Sequence, residues 1–369
     1  MSQVKRFLAS TVLASLAVYA DAAELIVEVS NVPASGQLVF QVYDSANAFG
    51  DFRDPASETV VESKGDGEYR LLQVPSGDIA VLVYVDANRN GIIDKNFIGI
   101  PRETLGLSNN YRPKGPPSFD RARFMVGEDD ARKIEIELYK VLGKRGRLGV
   151  GAGVVGRSSP YMDSSGGVFQ PIPAITYNGE RLQWLGPTLR YGIVGSGKLR
   201  LALSASYRIG VYEEDDSPVL TGLGDREDTL LAGLGLQYEL PGGFDASLRY
   251  EHDVLDRIGG GAATASLSKG FQLGFVRLSP KLVVNWQSSE LANHDFGVPL
   301  SAATPVRPAY SPGSTASAEI GLTSFIEITE DWRILFDLSL ERLDDAVVDS
   351  PIVDDETVVK GFAAITYVF

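Results

Sequence analysis

The sequence contains no cysteine, which excludes disulfide bonds and cysteine-ligated zinc or iron–sulfur sites. It also lacks, outside the first 23 residues, any run approaching the roughly 18 apolar residues that a membrane-spanning helix needs. Positive charge is scarce as well, because 34 Lys and Arg stand against 48 Asp and Glu, a net charge of −14. Nucleic-acid binding needs clustered Lys and Arg, so we expect no nucleic-acid partner. Any membrane residence must come from β-strands.

The first 23 residues have the composition of a signal peptide. Lys5 and Arg6 form a positively charged start, residues 7–20 are apolar apart from Ser and Thr, and Ala20-Asp21-Ala22 fits a cleavage site. A buried N-terminal helix is the alternative interpretation, but such a helix need not begin charged and end in small residues. We therefore predict a signal peptide over residues 1–23 and an exported chain that begins near Ala23.

Residues 24–139 have the pattern of a small all-β domain. Short apolar runs at 25–29, 38–43, 79–85 and 134–139 are separated by turn-rich pieces such as 64–67 and 75–78. This spacing predicts a β-sandwich of immunoglobulin or transthyretin type. Residues 140–147 follow as a basic linker, which suits a segment lying against anionic lipid headgroups and equally a solvated linker.

One loop of this domain is a candidate calcium site. In residues 86–94, DANRNGIID, oxygen-bearing side chains alternate around a glycine at the sixth position, as in the first half of a calcium loop. The twelfth position is Phe97 rather than a bidentate Glu, which excludes an EF-hand. The alternative is a plain turn held by side-chain bonds to its own backbone. The predicted Ca²⁺ ligands are Asp86, Asn88, Asn90, Asp94 and the carbonyl oxygen of Ile92.

From Leu148 onward, apolar and polar residues alternate with a period of two. In one strand, Leu199, Leu201 and Leu203 form one row, and Arg200, Ala202 and Ser204 form the opposite row. The last strand contains an apolar row that ends at Phe369. Outward apolar rows, inward polar rows and an aromatic terminus are typical of a transmembrane β-barrel, although a soluble sandwich shows the same alternation. We predict an antiparallel barrel over 148–369 with about twelve strands, or ten as the alternative.

The predicted strands have short turns at one end of the barrel and long segments at the other. The third and fourth strands are also compatible with one long strand kinked at Gly186-Pro187. Short turns mark the periplasmic rim of bacterial barrels. An even strand count then places both barrel ends, and the N-terminal domain, in the periplasm. The predicted strands are 145–157, 167–178, 180–186, 187–195, 197–210, 227–240, 243–254, 260–269, 271–287, 313–328, 331–343 and 357–369.

The titratable residues do not form a recognisable catalytic set. Of the two histidines, His252 shares a strand face with Tyr250, which suits the outer aromatic belt, and His294 lies in a loop. No Ser–His–acid arrangement is visible, so we predict that the protein is not an enzyme. The predicted inward charges are mixed in sign, which suits a lumen closed by paired charges better than a selective pore. They are Arg200, Arg208, Asp245, Arg249, Glu251, Glu319, Arg333, Asp337 and Glu341.

Two segments resemble known families. Residues 25–138, with DANRNGIID and the stretch 96–119, resemble an uncharacterised family of secreted bacterial β-domains, domain of unknown function 2141. Residues 149–369 resemble the MipA/OmpV family (MltA-interacting protein) of outer-membrane proteins, on the segments 160–165, 216–225, 292–298 and 308–313. This second resemblance implies partners in murein remodelling, namely a lytic transglycosylase and a bifunctional murein synthase.

These patterns together predict an outer-membrane barrel that acts as an interaction scaffold. A narrow channel or transport protein for small solutes is the alternative. Two predicted outer loops are acidic, at 213–216 and 344–356, and are most simply a solvated rim. Their carboxylates would also suit divalent cations that bridge to lipopolysaccharide phosphates. Outer-membrane lipid and lipopolysaccharide are therefore the expected surroundings.

Overall fold

The computed structural model of the protein describes residues 23–128, 131–164, 167–195 and 197–369. The predicted signal peptide lies outside these residues, except for Ala23, which begins the first strand. The described chain is all-β, with short helices confined to connections. No helix within the described residues is long and apolar enough to cross a membrane.

The N-terminal domain consists of short strands with two small helices between them. Its strands are β1 (Ala23–Ser30), β2 (Gln37–Tyr43), β3 (Ser57–Glu62), β4 (Gly67–Val74), β5 (Gly77–Asp86), β6 (Thr104–Leu107), β7 (Phe124–Val126), β8 (Ala131–Glu137) and β9 (Tyr139–Lys140). Its helices are α1 (Ala46–Asp51) and α2 (Phe119–Ala122), with a 3₁₀ turn at Ser108–Asn110. Of the predicted linker 140–147, Lys140 ends β9 and the first barrel strand already begins at Arg147.

Two sheets pack face to face in this domain. One has the order β4-β1-β8, with β1 and β8 parallel, and the other has the order β3-β2-β5-β6-β9, with β7 pairing with β5. Alternate residues of β1, among them Leu25 and Val27, meet Phe40 and Val83 of the other sheet in a core from which water is excluded. The immunoglobulin or transthyretin type stays a prediction, while the two packed sheets are present.

The second sheet is buried on both faces, which gives β5 a continuous buried run instead of an alternating one. Its first face meets β1, and its second face packs beneath α1, α2 and the segment that follows β6. In this second core, Tyr43 and Phe49 meet edge to face, with ring centroids 5.5 Å apart. The helices and loops on this side of the domain meet the barrel.

The second half of the chain is a closed antiparallel barrel of twelve strands, closed by pairing of its first strand with its last. Its strands are β10 (Arg147–Arg157), β11 (Val168–Asn178), β12 (Leu182–Leu185), β13 (Thr188–Val194), β14 (Leu199–Arg208), β15 (Thr229–Leu240), β16 (Phe244–Asp253), β17 (Gly261–Lys269), β18 (Phe271–Leu273), β19 (Val276–Gln287), β20 (Thr315–Glu327), β21 (Trp332–Arg342) and β22 (Thr357–Val368). The connections hold α3 (Ser289–Phe296), α4 (Asp345–Val348) and 3₁₀ turns at Glu214–Asp216, Pro241–Gly243 and Leu300–Ala302. β17 and β18 keep one register against β19 and count as one strand.

The predicted turn at Lys269-Gly270 is wrong. The strand continues to Leu273, and the chain reverses at Gly274, whose φ of +63° suits a turn. Gly270 has a different reason to be glycine: a Cβ there would lie 1.9 Å from a guanidinium nitrogen of Arg277, which crosses the strand. Gly186-Pro187, by contrast, is a turn between β12 and β13 rather than a kink, so the third and fourth strands are separate.

The predicted alternation describes the barrel wall. Outward residues of β14 such as Leu203 and Tyr207 are about half exposed, while Arg200, Ala202 and Ser204 on the opposite face are buried. The closing strand follows the same rule, with Ile365 and Phe369 exposed and Thr366 buried. The wall therefore presents an apolar surface outside and a polar surface to the lumen.

Candidate functional site

The N-terminal domain lies across the end of the barrel that carries the short turns. Asn96 donates a hydrogen bond to the Gly179 carbonyl in the β11–β12 turn, at 3.2 Å. Ser118 donates to the carbonyl of Gly274 in the turn before β19, also at 3.2 Å. Phe97 packs so closely on β13 that a Cβ at Gly192 would meet its ring at 2.4 Å. This end of the lumen is thus covered by the chain's own domain.

A buried ionic cluster joins the domain to the barrel. Glu239 at the end of β15 lies 3.3 Å from both Lys95 and Arg53 of the domain, and Arg53 also meets Asp245 at 3.0 Å. Arg200 completes the cluster from the lumen side, 3.0 Å from Glu239. Burial lowers the pKa of the Lys95 ammonium, and Glu239 opposes that shift. Since these side chains are mostly buried, breaking one pair leaves a charge without a partner.

A second set of contacts fixes the far side of the domain. Tyr111 donates a 2.5 Å hydrogen bond to Glu327 at the end of β20, and Lys114 lies 2.5 Å from Asp331. Asp51 of α1 forms an ion pair with Arg277. Burial, followed by the Glu327 carboxylate, raises the pKa of the Tyr111 hydroxyl well above its usual range. The domain is therefore held at several points around the rim.

The opposite end of the barrel is closed by an apolar cluster of its long loops. Tyr161 and Tyr212 stack edge to face at 4.8 Å between centroids, and Leu220 and Ile352 are fully buried beside them. Arg307 donates a hydrogen bond to the Thr221 carbonyl at 3.0 Å, joining two of the loops. We call this cluster the loop lid. Its remaining buried members are Phe296, Val298, Leu343, Val347, Val353 and Val358.

Between the domain and the loop lid lies a cavity of about 670 Å³. On one side of it, β19 to β22 carry a compact ionic network that we call the paired wall. Lys281 meets Asp337 at 2.9 Å and Glu319 at 3.7 Å, and Lys360 meets Glu319 at 3.0 Å and Glu341 at 2.7 Å. Hydroxyls of the same strands donate to the remaining carboxylate oxygens. Every charge of this wall has a partner.

On the other side, β13 to β16 carry four arginines, of which Arg200 is paired with Glu239 and Arg208 with Asp295. We call this surface the arginine wall, defined by Arg190, Arg200, Ser204, Arg208 and Arg249. Arg190 makes no hydrogen bond or ion pair within the described residues. Arg249 meets only Glu251, at 3.6 Å. Most of the predicted inward charges line this cavity or the one beneath the domain, so the lumen is polar as predicted.

The predicted calcium ligands do come together in one loop. Asn88 and Asn90 donate their amide hydrogens to the Asp94 carboxylate, at 2.7 and 3.1 Å, and Asp86 accepts from the backbone of Asn90 and Gly91. These are the bonds of a self-supporting turn. Within the described residues no group of three His, Cys, Asp or Glu is placed to hold a metal. Calcium binding stays a prediction.

The two histidines lie on different elements, His252 on a barrel strand and His294 in a loop helix. His252 is exposed on the outer face of β16 and stacks on Tyr250, as its position in the aromatic row predicts. His294 of α3 lies 3.2 Å from Asp295, which is buried and also paired with Arg208. Burial acts to raise the pKa of Asp295, but Arg208 and His294 outweigh it and the pKa is lowered. Asp295 therefore anchors the loop lid to the arginine wall.

With this arrangement described, the chain can be compared with known proteins. The family model described as MltA-interacting protein MipA matches residues 150–369. The chain belongs to the MipA family. A second model, for an uncharacterized protein conserved in bacteria (DUF2141), matches residues 27–135. The MipA barrel is therefore joined here to an N-terminal domain of DUF2141 type, and that domain is the one that covers the barrel.

Relatives of this MipA-family chain are outer-membrane proteins. The MltA-interacting protein of Escherichia coli K12 is 27% identical over 61% of this chain and 91% of its own length. Outer membrane protein Omp26La of Vibrio anguillarum is 30% identical over 43% of this chain and 61% of its own length. Among solved structures, a NanC porin covers 60% of this chain and 98% of its own, with 10% identity and a TM-score of 0.29. The protein is an outer-membrane β-barrel.

The segments that carry the MipA resemblance meet in the loop lid. Tyr161 of the first segment donates to the Asp295 carbonyl of the third at 3.3 Å, and Val298 pairs with Tyr310 of the last. Ser217 of the second segment donates to the Met162 carbonyl. Sequence reasoning placed these segments in outer loops but did not bring them together. It also missed the contact between domain and barrel, for which no local pattern exists.

Proposed function

We propose that this protein is an outer-membrane interaction scaffold whose N-terminal domain faces the periplasm and receives a partner from murein remodelling. The observation that carries the proposal is the fixing of the domain across the short-turn end by Lys95, Arg53 and Tyr111. A barrel covered at that end by its own domain and at the other by the loop lid is better suited to holding a partner than to free diffusion.

The name of the relative suggests the partner. A MltA-interacting protein binds, by its name, MltA, a lytic transglycosylase, and the family resemblance adds a bifunctional murein synthase. In this chain the domain presents open sheet edges, among them β3, which pairs only with β2, and β4, which pairs only with β1 in the described residues. Open edges of this kind capture extended segments by strand addition.

Co-purification tests the scaffold directly. Full-length protein in detergent, immobilised through a tag in the exposed outer loop at Asp354, is expected to retain the lytic transglycosylase of the same organism. A variant lacking residues 24–139 tests whether the N-terminal domain is the receiver. If that variant retains the partner as well as the full chain does, the barrel rather than the domain is the docking part. No retention by either would reject the scaffold.

Orientation has its own test. Short turns, both barrel ends and the N-terminal domain share one side, which we assign to the periplasm. Protease added to intact cells should cut exposed outer loops near Glu213 or Asp354 and leave a tag at Glu24 intact. A tag at Glu24 that is accessible from outside would reverse the barrel and remove the geometric basis of the scaffold.

A narrow channel is the second candidate, favoured by one observation. The lumen cavity and the cavity of about 510 Å³ beneath the domain share Arg200 and Gln237, so the polar space continues to the domain interface. Single-channel conductance separates the candidates: silence favours the scaffold and steady conductance favours the channel. The same measurement can be made on a variant with a loosened domain. Asp51→Arg should loosen the domain by repelling Arg277. The double variant D51R/R277D is the matched control, because it restores opposite charges at these two positions.

Two further proposals concern the surface and the chemistry. The outer acidic loops would recruit divalent cations that bridge to lipopolysaccharide, although several of their carboxylates also cap local turns. Asp344, for example, accepts from Ala346 at 2.9 Å and Ala316 at 2.7 Å. We further propose that the protein has no enzymatic activity, since the histidine hydrogen bonds of the described residues are made to Tyr250 and Asp295 and not to a serine. Hydrolysis of a lipid or ester substrate by the purified protein would reject this.

A further inference from the structure

We propose that the arginine wall is a binding site for a small oxyanion, an organic molecule or ion that carries a phosphate or carboxylate group. The register of the barrel places the key groups side by side. Arg190 pairs with Ser204, which pairs with Gly233, and on the next inward row Ala202 pairs with Gly235, which pairs with Arg249. Two guanidinium groups thus flank a strip of small residues.

The polar atoms of this wall have hydrogen-bonding capacity to spare. Within the described part of the chain, the hydroxyl of Ser204, Nε of Arg200 and Nη1 of Arg208 are buried without a partner. Arg157, facing the same cavity, also has a buried Nε without one and makes no ion pair. A buried donor that is left unsatisfied is costly, and the cost is higher for a charged group. Several such donors converging on one cavity indicate a place built to receive an acceptor.

Space for the anion is provided at Gly235, which lines the cavity. Gly235 has so little above it that an added Cβ would meet only the Arg249 Cγ, at 4.0 Å. Arg249 itself is held only loosely by Glu251, whose second oxygen accepts from Ser206 at 2.9 Å. Both guanidinium groups can therefore turn toward the strip without losing a strong internal contact. A larger side chain at position 235 would occupy the space between them.

The charge of the cavity selects the sign of the ligand. Seven Arg and Lys side chains line it against four Asp and Glu, although the chain as a whole carries a net charge of −14. Of these carboxylates, Glu319 and Glu341 are paired with lysines in the paired wall, and Asp295 is paired with Arg208. Within the described residues, the cations of this cavity without an ion pair are Arg190, on the arginine wall, and Arg157. Planar guanidinium groups match phosphate and carboxylate oxygens with two parallel hydrogen bonds, which is why arginine is common in such sites.

Calorimetric titration of the full-length protein in detergent with sodium phosphate, at ionic strength held constant with sodium chloride, tests the site. We expect saturable binding that Arg190→Gln and Arg249→Gln each weaken about tenfold or more, as expected for loss of a charged hydrogen bond. Arg257→Gln is the control, since this arginine lies in a surface turn and donates to the Asp228 carbonyl at 3.0 Å. It should leave the affinity unchanged.

Folding of each variant is checked by its faster migration on a gel without boiling. Sodium citrate is the second probe, and competition between citrate and phosphate would show one shared site for both kinds of oxyanion. Absence of saturable phosphate binding by the wild type overturns the proposal. Equal weakening by Arg190→Gln and Arg257→Gln overturns it too, because the effect would then come from net charge rather than from this wall.

Discussion

The two walls of the lumen carry the same kinds of charged side chain but differ in how these side chains are paired. In the paired wall, Lys281 and Lys360 each contact two carboxylates, so every charge has a partner. In the arginine wall, Arg190 has no partner within the described residues and Arg249 has one at 3.6 Å. A neutralised network contributes to the barrel itself, whereas unpaired donors lose stability unless something else binds them. The difference separates a structural half of the lumen from a half available for binding.

The largest expected effect is in the paired wall. Replacing Lys281 by Met should destabilise the barrel by about 3–5 kcal/mol, because half-buried Asp337 loses its cation and buried Glu319 keeps only Lys360. Arg190→Gln, in the other wall, should cost less than about 1 kcal/mol because no ion pair is lost. Urea titration followed by the gel shift measures both. Equal losses for the two variants would erase the distinction between the walls.

The next largest effect is expected for a substitution on the lipid side of β15, compared with one on its lumen side. Leu234 is outward-facing and about half exposed, and its neighbour Gly235 faces the cavity. Leu234→Arg should cost about 2–4 kcal/mol if the side chain meets the middle of the bilayer. Gly235→Gln should be milder, since it enters a polar space. Refolding into lipid vesicles at graded urea concentrations measures the two variants, and a larger loss for Gly235→Gln would reverse the assigned faces.

The N-terminal domain holds the inverse of the arginine wall, a buried carboxylate with no cation. Glu103 accepts only backbone hydrogen bonds, from Asp94 at 3.1 Å and Ala87 at 3.4 Å. Burial, with further contributions from the Asp94 and Asp86 carboxylates, raises the pKa of Glu103 to about 7. The protonated Glu103 side chain therefore makes its full contribution to the stability of the domain below the unfolded pKa of about 4.5. This contribution is lost as the pH rises through 7 and the side chain ionises.

The resulting loss should be at most about 3 kcal/mol in the free energy of unfolding of the domain. Thermal or urea unfolding of the full chain, followed by near-ultraviolet circular dichroism at pH 5 and pH 8, measures it. Glu103→Gln should flatten the pH dependence, because it keeps the side chain's shape and removes its titration. A stability that rises from pH 5 to pH 8 in the wild type and not in this variant would contradict the sign.

The smallest expected effect concerns calcium at the same loop. If Asp86 and Asp94 bind the ion with Asn88 and Asn90, calcium at a hundred times its dissociation constant should stabilise the domain by about 2.7 kcal/mol over chelator. Asp86→Asn should abolish this stabilisation by calcium. Asp355→Asn, in an exposed outer loop, controls for calcium bound elsewhere. An unchanged melting temperature in the wild type at millimolar calcium leaves the loop as a turn.

The sequence by itself determined the strands and the faces of the barrel, because a period of two is a local property that the bilayer and the lumen reinforce. It placed ten of the twelve strands close to their observed bounds and misplaced the turn between the other two at Gly270. That glycine makes room for Arg277 from the next strand, a contact that no local pattern reveals. The two family resemblances were likewise readable from short segments.

Only the tertiary structure decided which charges meet. Lys95 and Glu239 are 144 residues apart in the sequence, and Tyr111 and Glu327, which also meet between domain and barrel, are 216 apart. The alternation of residues within one strand does not indicate which distant residue each side chain will contact. Sequence reasoning found Arg200, Arg249 and Glu319 as inward charges of mixed sign, yet it could not tell a neutralised wall from an unpaired one. Pairing depends on barrel closure and register, which bring β22 back to β10 and assign each inward side chain its neighbours.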